Sequence, residues 1–350
     1  MSTEPAPIRI LLVDGSALTL AATQRVLERV PGFKVIGTAA NGWEALQRIP
    51  QLEPTIVCAE LHMPVMDGLE MTRAIMERFP RPILIFTTTL PSGKAPNVFP
   101  VLEAGAVDFI LKPALREEDS AGWEDLIRRL RLSAGVHVMR RYPRPRVSEV
   151  KPAAMPAASR IVAMGASTGG PQALRKILAE LPTEFPLPIL CVQHLGEGFL
   201  EGLMSWLQRT CKLQLELAAG QLPQPGRVYF PPERFHLEVQ SNGALGVSGA
   251  ALWEGHRPSI NLLFRSVAAS FGAGAVGVLL TGMGEDGAEG LVAIRAAGGF
   301  TIAQDEASCV IFGMPQQAIL RGAAMRIVSL DAMATVLLQC SRRKTAEPGR

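Results

Sequence analysis

Short apolar runs alternate with helical periodicity along this chain, and they do so twice, on either side of one proline- and arginine-rich stretch. Before that stretch the runs are IRILLVD, KVIGTAA, TIVCAEL, ILIFTTT and VDFILKP, with helical patterns over 17–30, 42–48 and 68–79. After it come RIVAMGAS, PILCVQH, GRVYFPP, HLEV, AVGVLLTG and GFTIAQD, with helical patterns over 171–180, 259–270 and 287–297. Strands separated by helices return in the same direction, so each half predicts a mostly parallel sheet covered on both faces. One stretch, over 226–247, reads as antiparallel. The dividing stretch, 133–159, holds Pro143, Pro145, Pro152 and Pro156, which forbid continuous helix, beside the mutually repelling Arg140, Arg141, Arg144 and Arg146. It is expected to be a linker between a first domain over 1–132 and a second over 160–340, with a flexible tail over 341–350. A chain of 350 residues is long enough for two such cores.

In parallel α/β sheets the working groups sit in loops beyond the carboxyl ends of the strands. In the second half three such ends carry Ser167, His194 and, just past TGMG, Asp286. A hydroxyl becomes a nucleophile when a base takes its proton, and the base needs a carboxylate to fix its tautomer. These three supply each type once. Ser167 lies in GASTGGP, where glycines allow a tight strand-to-helix turn and Pro171 opens the helix. Taken alone, that turn equally suits a phosphate or a plain serine cap. Among the other histidines, His62 belongs to the first half, His137 borders the linker and His236 starts a strand. His256, ahead of a helix, is the rival base or a substrate contact. Glu285 and Asp305 are the rival acids, and Asp286 is preferred because Gly282, Gly284 and Gly287 shape a loop around it. Thr168 and the Met283 amide are candidate oxyanion contacts.

Composition narrows the rest. The net charge of +3 is too small and dispersed for nucleic acid. No apolar run approaches the roughly 18–20 residues that span a bilayer, and MSTEPAPIRI lacks the pattern of a secretory signal. Cys58, Cys191, Cys211, Cys309 and Cys340 are odd in number and lack metal-ligand spacing, so they read as reduced thiols in a cytoplasmic protein.

GASTGG, the strand-end QH, VYFPP, HRPSINLLFRSVA, LLTGMGEDGAEGL and GGFTIAQDEASCVIFGMPQQAI, over about 160–338, resemble the catalytic domain of chemotaxis protein-glutamate methylesterases. The resemblance implies a doubly wound hydrolase that cleaves glutamyl methyl esters on chemoreceptor helices and often deamidates glutamines. It implies Ser167 as nucleophile, His194 as base and Asp286 as orienting acid, with no cofactor for catalysis.

LLVDGSAL, LHMPVMDGLEM, PILIFTTTL and LEAGAVDFILKP, over about 8–115, resemble a two-component receiver, which implies a flavodoxin-like (βα)5 fold. Its partner would be a chemosensory histidine kinase or other signalling protein. In such domains an acidic pair holds magnesium and an aspartate accepts phosphate. Thr87 and Lys112 match the residues that sense it, but the acidic pair is reduced to Asp14-Gly15 and the acceptor position is Glu60. Magnesium needs near-ideal octahedral oxygen geometry, so neither the metal nor phosphorylation is expected here. Glu60 reads either as a partial phosphate mimic or as drift in a domain kept as a scaffold. A non-catalytic adaptor and a phosphorylation-switched methylesterase stand as the alternative readings.

Overall fold

The computed structural model describes residues 6–88, 97–113, 120–136 and 159–341. The chain forms two compact units, divided between Pro145 and Arg146. The linker expected over 133–159 and the tail over 341–350 lie almost wholly outside the described residues. The last helix of the first unit runs two residues past the expected boundary, to Ala134, and the last helix of the second ends at Ser341.

The first unit is built from β1 (Ile8–Val13), α1 (Ala17–Leu27), β2 (Phe33–Ala39), α2 (Gly42–Leu52), β3 (Ile56–Ala59), α3 (Gly68–Arg78), β4 (Ile83–Thr87), α4 (Phe99–Ala104), β5 (Asp108–Leu111) and α5 (Ser120–Ala134). Its five strands pair in the order β2-β1-β3-β4-β5, every pair parallel, the doubly wound order of the flavodoxin-like fold. Strands β3 and β4 are buried at every residue, as a sheet covered on both faces demands. Side chains set the helix starts: Ser16 accepts from the Thr19 amide, Asn41 from Glu44, and Asp67 forms a reciprocal capping box with Glu70. Helix α2 continues beyond the expected 48 to Leu52, with Pro50 in its last turn.

The second unit comprises β6 (Ile161–Ala166), α6 (Gly170–Glu180), β7 (Ile189–Gln193), α7 (Leu200–Gln208), β8 (Gln214–Leu217), β9 (Arg227–Phe230), β10 (His236–Val239), β11 (Leu245–Ser248), α8 (Ile260–Phe271), β12 (Ala275–Leu279), α9 (Ala288–Ala296), β13 (Phe300–Gln304), α10 (Met314–Leu320), β14 (Arg326–Val328) and α11 (Leu330–Ser341). Seven strands form one parallel sheet in the order β14-β13-β12-β6-β7-β9-β8. The antiparallel reading of 226–247 holds only in part. β10 and β11 form a separate antiparallel ribbon, whereas β9 enters the main sheet between β7 and β8, parallel to both. Ile161, Leu190, Val192, Leu263, Phe264, Val267, Leu279 and Leu291 build the core between the sheet and α8 and α9.

Among the described residues no helix is long and apolar enough to cross a membrane. All five cysteines are free, four of them buried. Burial pushes the thiols of Cys309 and Cys340 up to about 12 and raises those of Cys58, Cys191 and Cys211, so none is poised as a thiolate nucleophile.

Candidate active site

Strand register decides what meets at the edge of the larger sheet. β6 lies between β7 and β12, with Ala166 opposite Gln193 and Gly165 opposite Leu279. One residue further, the chain leaves the sheet at Ser167 on β6 and at His194 on β7. The His194 amide donates to the Ala166 carbonyl at 2.9 Å, and the Ser167 amide donates to the Thr281 carbonyl at 3.0 Å. Ser167 is thereby tied directly to the β12 end and, through Ala166, to the β7 end. The loop after β12 comes closer still. A Cβ on Gly282 would lie 2.7 Å from the Ser167 Cβ, so glycine alone lets this turn pass the serine.

His194 Nε2 and Asp286 Oδ2 are 2.9 Å apart. Asp286 is 2% exposed, and three further donors hold its carboxylate. Oδ1 accepts from the Ser259 hydroxyl at 3.0 Å and the Asn261 amide at 2.9 Å, and Oδ2 accepts from the Ile260 amide at 2.8 Å. These groups form the first turn of α8, where unpaired amides and the helix dipole favour an anion. Burial by itself would raise the Asp286 pKa. The His194 hydrogen bond and charge, with the two α8 amides, outweigh burial and hold the carboxyl below its ordinary value. With Nε2 committed to Asp286, Nδ1 is the ring nitrogen left for another partner; the Ser167 hydroxyl makes no hydrogen bond to it.

The rivals have other work. Glu285 pairs with Arg321 on an exposed surface, and Asp305 caps the 3-10 turn at Ser308. His236 is fully buried; its Nδ1 accepts from the Ser259 amide at 3.1 Å, and its Nε2 lies 3.1 Å from the Ala251 carbonyl. It is structural, as its strand position suggested, yet it buttresses the residue that grips Asp286. His62 is exposed on the first unit, and His137 lies outside the described residues. His256 stacks on His194, with centroids 4.3 Å apart and planes 5° from parallel. One ligand atom from each of His194, His256 and Asp286 falls within 4.8 Å of the others. Parallel stacked rings cannot aim in-plane lone pairs at one point, however, and both Asp286 oxygens already accept two bonds. The trio suits proton handling better than metal binding.

Four supporting residues were not read as site residues. Ser259 caps α8 and grips Asp286. Buried Asn261 accepts the Gly287 and Gly290 amides at 3.0 and 2.8 Å, fastening α9 to α8 around the acid. Thr281 joins three loops: its hydroxyl donates to the Thr168 carbonyl and accepts from the Val310 and Ile311 amides. Gln193 bonds the backbones of Ser167 and His194. Of the oxyanion candidates, buried Thr168 sits in the turn that opens α6, and Met283 follows Gly282 in the loop packed on Ser167. Beside the site lies a cavity of about 130 Å³, lined by Leu195, Leu200, Phe230, Pro232, Leu252 and Pro258 among others.

In the first unit, Asp14, Glu60, Thr87 and Lys112 converge at the strand ends. The Lys112 ammonium lies 2.5 Å from Asp14 Oδ2 and 2.5 Å from Glu60 Oε2. Glu60 Oε1 accepts from the Thr87 hydroxyl and the Leu61 amide, each at 2.6 Å, and from the His62 amide at 3.2 Å. Asp14 Oδ1 accepts from the Ser16 amide. Gly15 adds no oxygen, and both carboxylates face the lysine. All four carboxylate oxygens of Asp14 and Glu60 thus already accept a hydrogen bond or face the Lys112 ammonium.

Residues 162–337 match the CheB methylesterase family model, and residues 10–119 match the response regulator receiver domain. A protein-glutamate methylesterase/protein-glutamine glutaminase of Geobacter metallireducens is 40% identical over 346 residues, covering 96% of this chain and 100% of the relative. One of Koribacter versatilis is 40% identical over 350 residues, covering 95% and 96%. The crystal structure of the Thermotoga maritima CheB methylesterase catalytic domain aligns with a TM-score of 0.50 at 34% identity, over 52% of this chain and 98% of that one.

Proposed function

The chain belongs to the CheB methylesterase family, and we propose that it hydrolyses glutamyl methyl esters of chemoreceptor helices through Ser167, His194 and Asp286. The observation that carries this is the 2.9 Å pairing of His194 with a buried, four-fold hydrogen-bonded Asp286, one strand away from Ser167. Asp286 keeps the proton on Nε2 and leaves the Nδ1 lone pair to take the Ser167 proton. Ser167 Oγ attacks the ester carbonyl carbon, and His194 returns the proton to the departing methanol. Water, deprotonated by His194, then attacks the acyl carbon and restores Ser167, leaving a glutamate. On a glutamine the same steps release ammonia. The α6 turn at Thr168 and the Met283 amide are the proposed oxyanion contacts, each such donor being worth about 10²–10³ in rate.

The receiver unit is proposed not to be a phosphoacceptor. Its Glu60 carboxylate already holds Thr87 and Lys112, the two groups that a phosphoryl oxygen would engage. This favours a built-in partial mimic over drift. A serine-directed fluorophosphonate tests the hydrolase reading. It is expected to label the full chain at Ser167 and to leave Ser167→Ala unlabelled; an unlabelled wild type would favour an adaptor. A small-molecule phosphodonor with magnesium is expected to leave the full chain unphosphorylated and its esterase rate unchanged. A clear rise in rate would restore the phosphoswitch.

A further inference from the structure

The Gln193 carboxamide occupies a place that neither the hydrolytic chemistry nor the sheet assigns. β6–β7 pairing ends at Ala166 and Gln193, with the His194 amide on the Ala166 carbonyl as its last rung. Beyond that rung the two chains diverge into the turns that carry Ser167 and His194. Gln193 Nε2 donates to the Ser167 carbonyl at 2.8 Å and to the His194 carbonyl at 3.0 Å. Two carbonyls can only be met by the NH2 end, so the amide orientation is fixed by chemistry. Its other end, Oε1, is buried without a hydrogen-bond partner among the described residues. A buried unpaired acceptor is unfavourable and calls for an explanation; here the value of the side chain lies in its two donors. Gly170 completes the arrangement: a Cβ there would stand 2.0 Å from Gln193 Oε1. The last glycine of GASTGG therefore makes room for this amide.

We infer that Gln193 is a positioning residue, whose carboxamide extends the strand pairing by one surrogate rung and fastens the backbone of the nucleophile to that of the base. It is 5% exposed and acts through Ser167 and His194 rather than on substrate. The inference rests on the proposed catalytic reading of those two residues. Catalytic groups must hold within about 0.5 Å, and a slip of about 1 Å can lower the rate 10²-fold.

The test compares the full chain with Gln193→Met, which keeps the length but has no donor, and Gly170→Ala, which expels the amide without altering it. Fluorophosphonate labelling rate, kcat and KM for methanol release, and melting temperature are measured for each. Both variants are expected to label and turn over roughly 10–100-fold more slowly, with KM within about twofold and the fold intact at the assay temperature. Rates within about threefold of wild type in folded variants would overturn the inference. So would a loss of rate matched by an equal loss of folded protein, which would leave Gln193 a packing residue. If the wild type itself is not labelled, the Ser167 reading fails; equal labelling of wild type and variants refutes the positioning role alone.

Discussion

Replacing Asp286 by asparagine exchanges one carboxylate oxygen for an NH2 group inside a ring of donors. On the Oδ2 side that NH2 faces the Ile260 amide and His194 Nε2; on the Oδ1 side it faces the Asn261 amide and the Ser259 hydroxyl. Ser259 can rotate to accept and His194 can change tautomer, but a backbone amide can do neither. Either orientation strands one buried N–H, which costs about 1–3 kcal/mol. For a domain of this size that lowers the melting temperature by about 2–12 °C, at 2–4 °C per kcal/mol. The Oδ2 orientation also moves the imidazole proton onto Nδ1, the nitrogen assigned to Ser167. Both orientations remove the charge that steadies an imidazolium, so kcat is expected to fall about 10³–10⁴-fold. The assay is methanol release from methylated receptor membranes, beside thermal melts. Because the folded state depresses the Asp286 pKa, its contribution to stability is present above the ordinary value of 3.8 and is lost as the pH falls through the folded pKa. The stability gap between wild type and Asp286→Asn should therefore narrow below about pH 3.8. A variant within tenfold of wild-type kcat would refute the assignment of Asp286, and a gap that widens with acid would refute the linkage.

Gly287 has φ +92°, and a Cβ there would fall 2.6 Å from Leu279 Cδ1 and 2.7 Å from Ile260 Cγ2. Gly287→Ala is expected to destabilise the hydrolase unit by about 1–3 kcal/mol and to shift Asp286 beside it, seen as a lower melting point and kcat; an unchanged melt would contradict this. In the receiver unit, Gly15→Asp with Glu60→Asp restores the missing carboxylate and shortens the acceptor. The double variant is expected to gain magnesium-dependent phosphorylation from a small-molecule donor, read by intact mass. If wild type and double variant take up phosphate equally, Glu60 and Gly15 do not set the block.

The strands and the three strand-end residues were legible because a doubly covered parallel sheet writes itself as unbroken apolar runs, and chemistry gathers where they end. Ser167, His194 and Asp286 each stand one to several residues past such a run. The supporting residues were not legible, because their bonds span distances that no local pattern encodes. Asn261 reaches 26 residues ahead to Gly287 and Gln193 reaches 26 back to Ser167. His236 looked like a strand residue and is one; its grip on Ser259 emerges only when the β10–β11 ribbon packs on α8. Ser259 had a visible signal, a serine ahead of an apolar helix, which reads as a cap and says nothing of the acid it holds. The strand GRVYF was misjudged for a related reason. It follows β8 through residues 218–226 and inserts between β8 and β7, parallel to both, and a run of four residues carries no mark of which neighbour it will pair with.

Receptor membranes carrying radiolabelled methyl esters measure the central claim most directly, through methanol released per enzyme by the full chain and by Ser167→Ala at equal folded concentration. Steady release by the full chain, and none above background by the variant, is the predicted result. Release by Ser167→Ala at near the wild-type rate would contradict it.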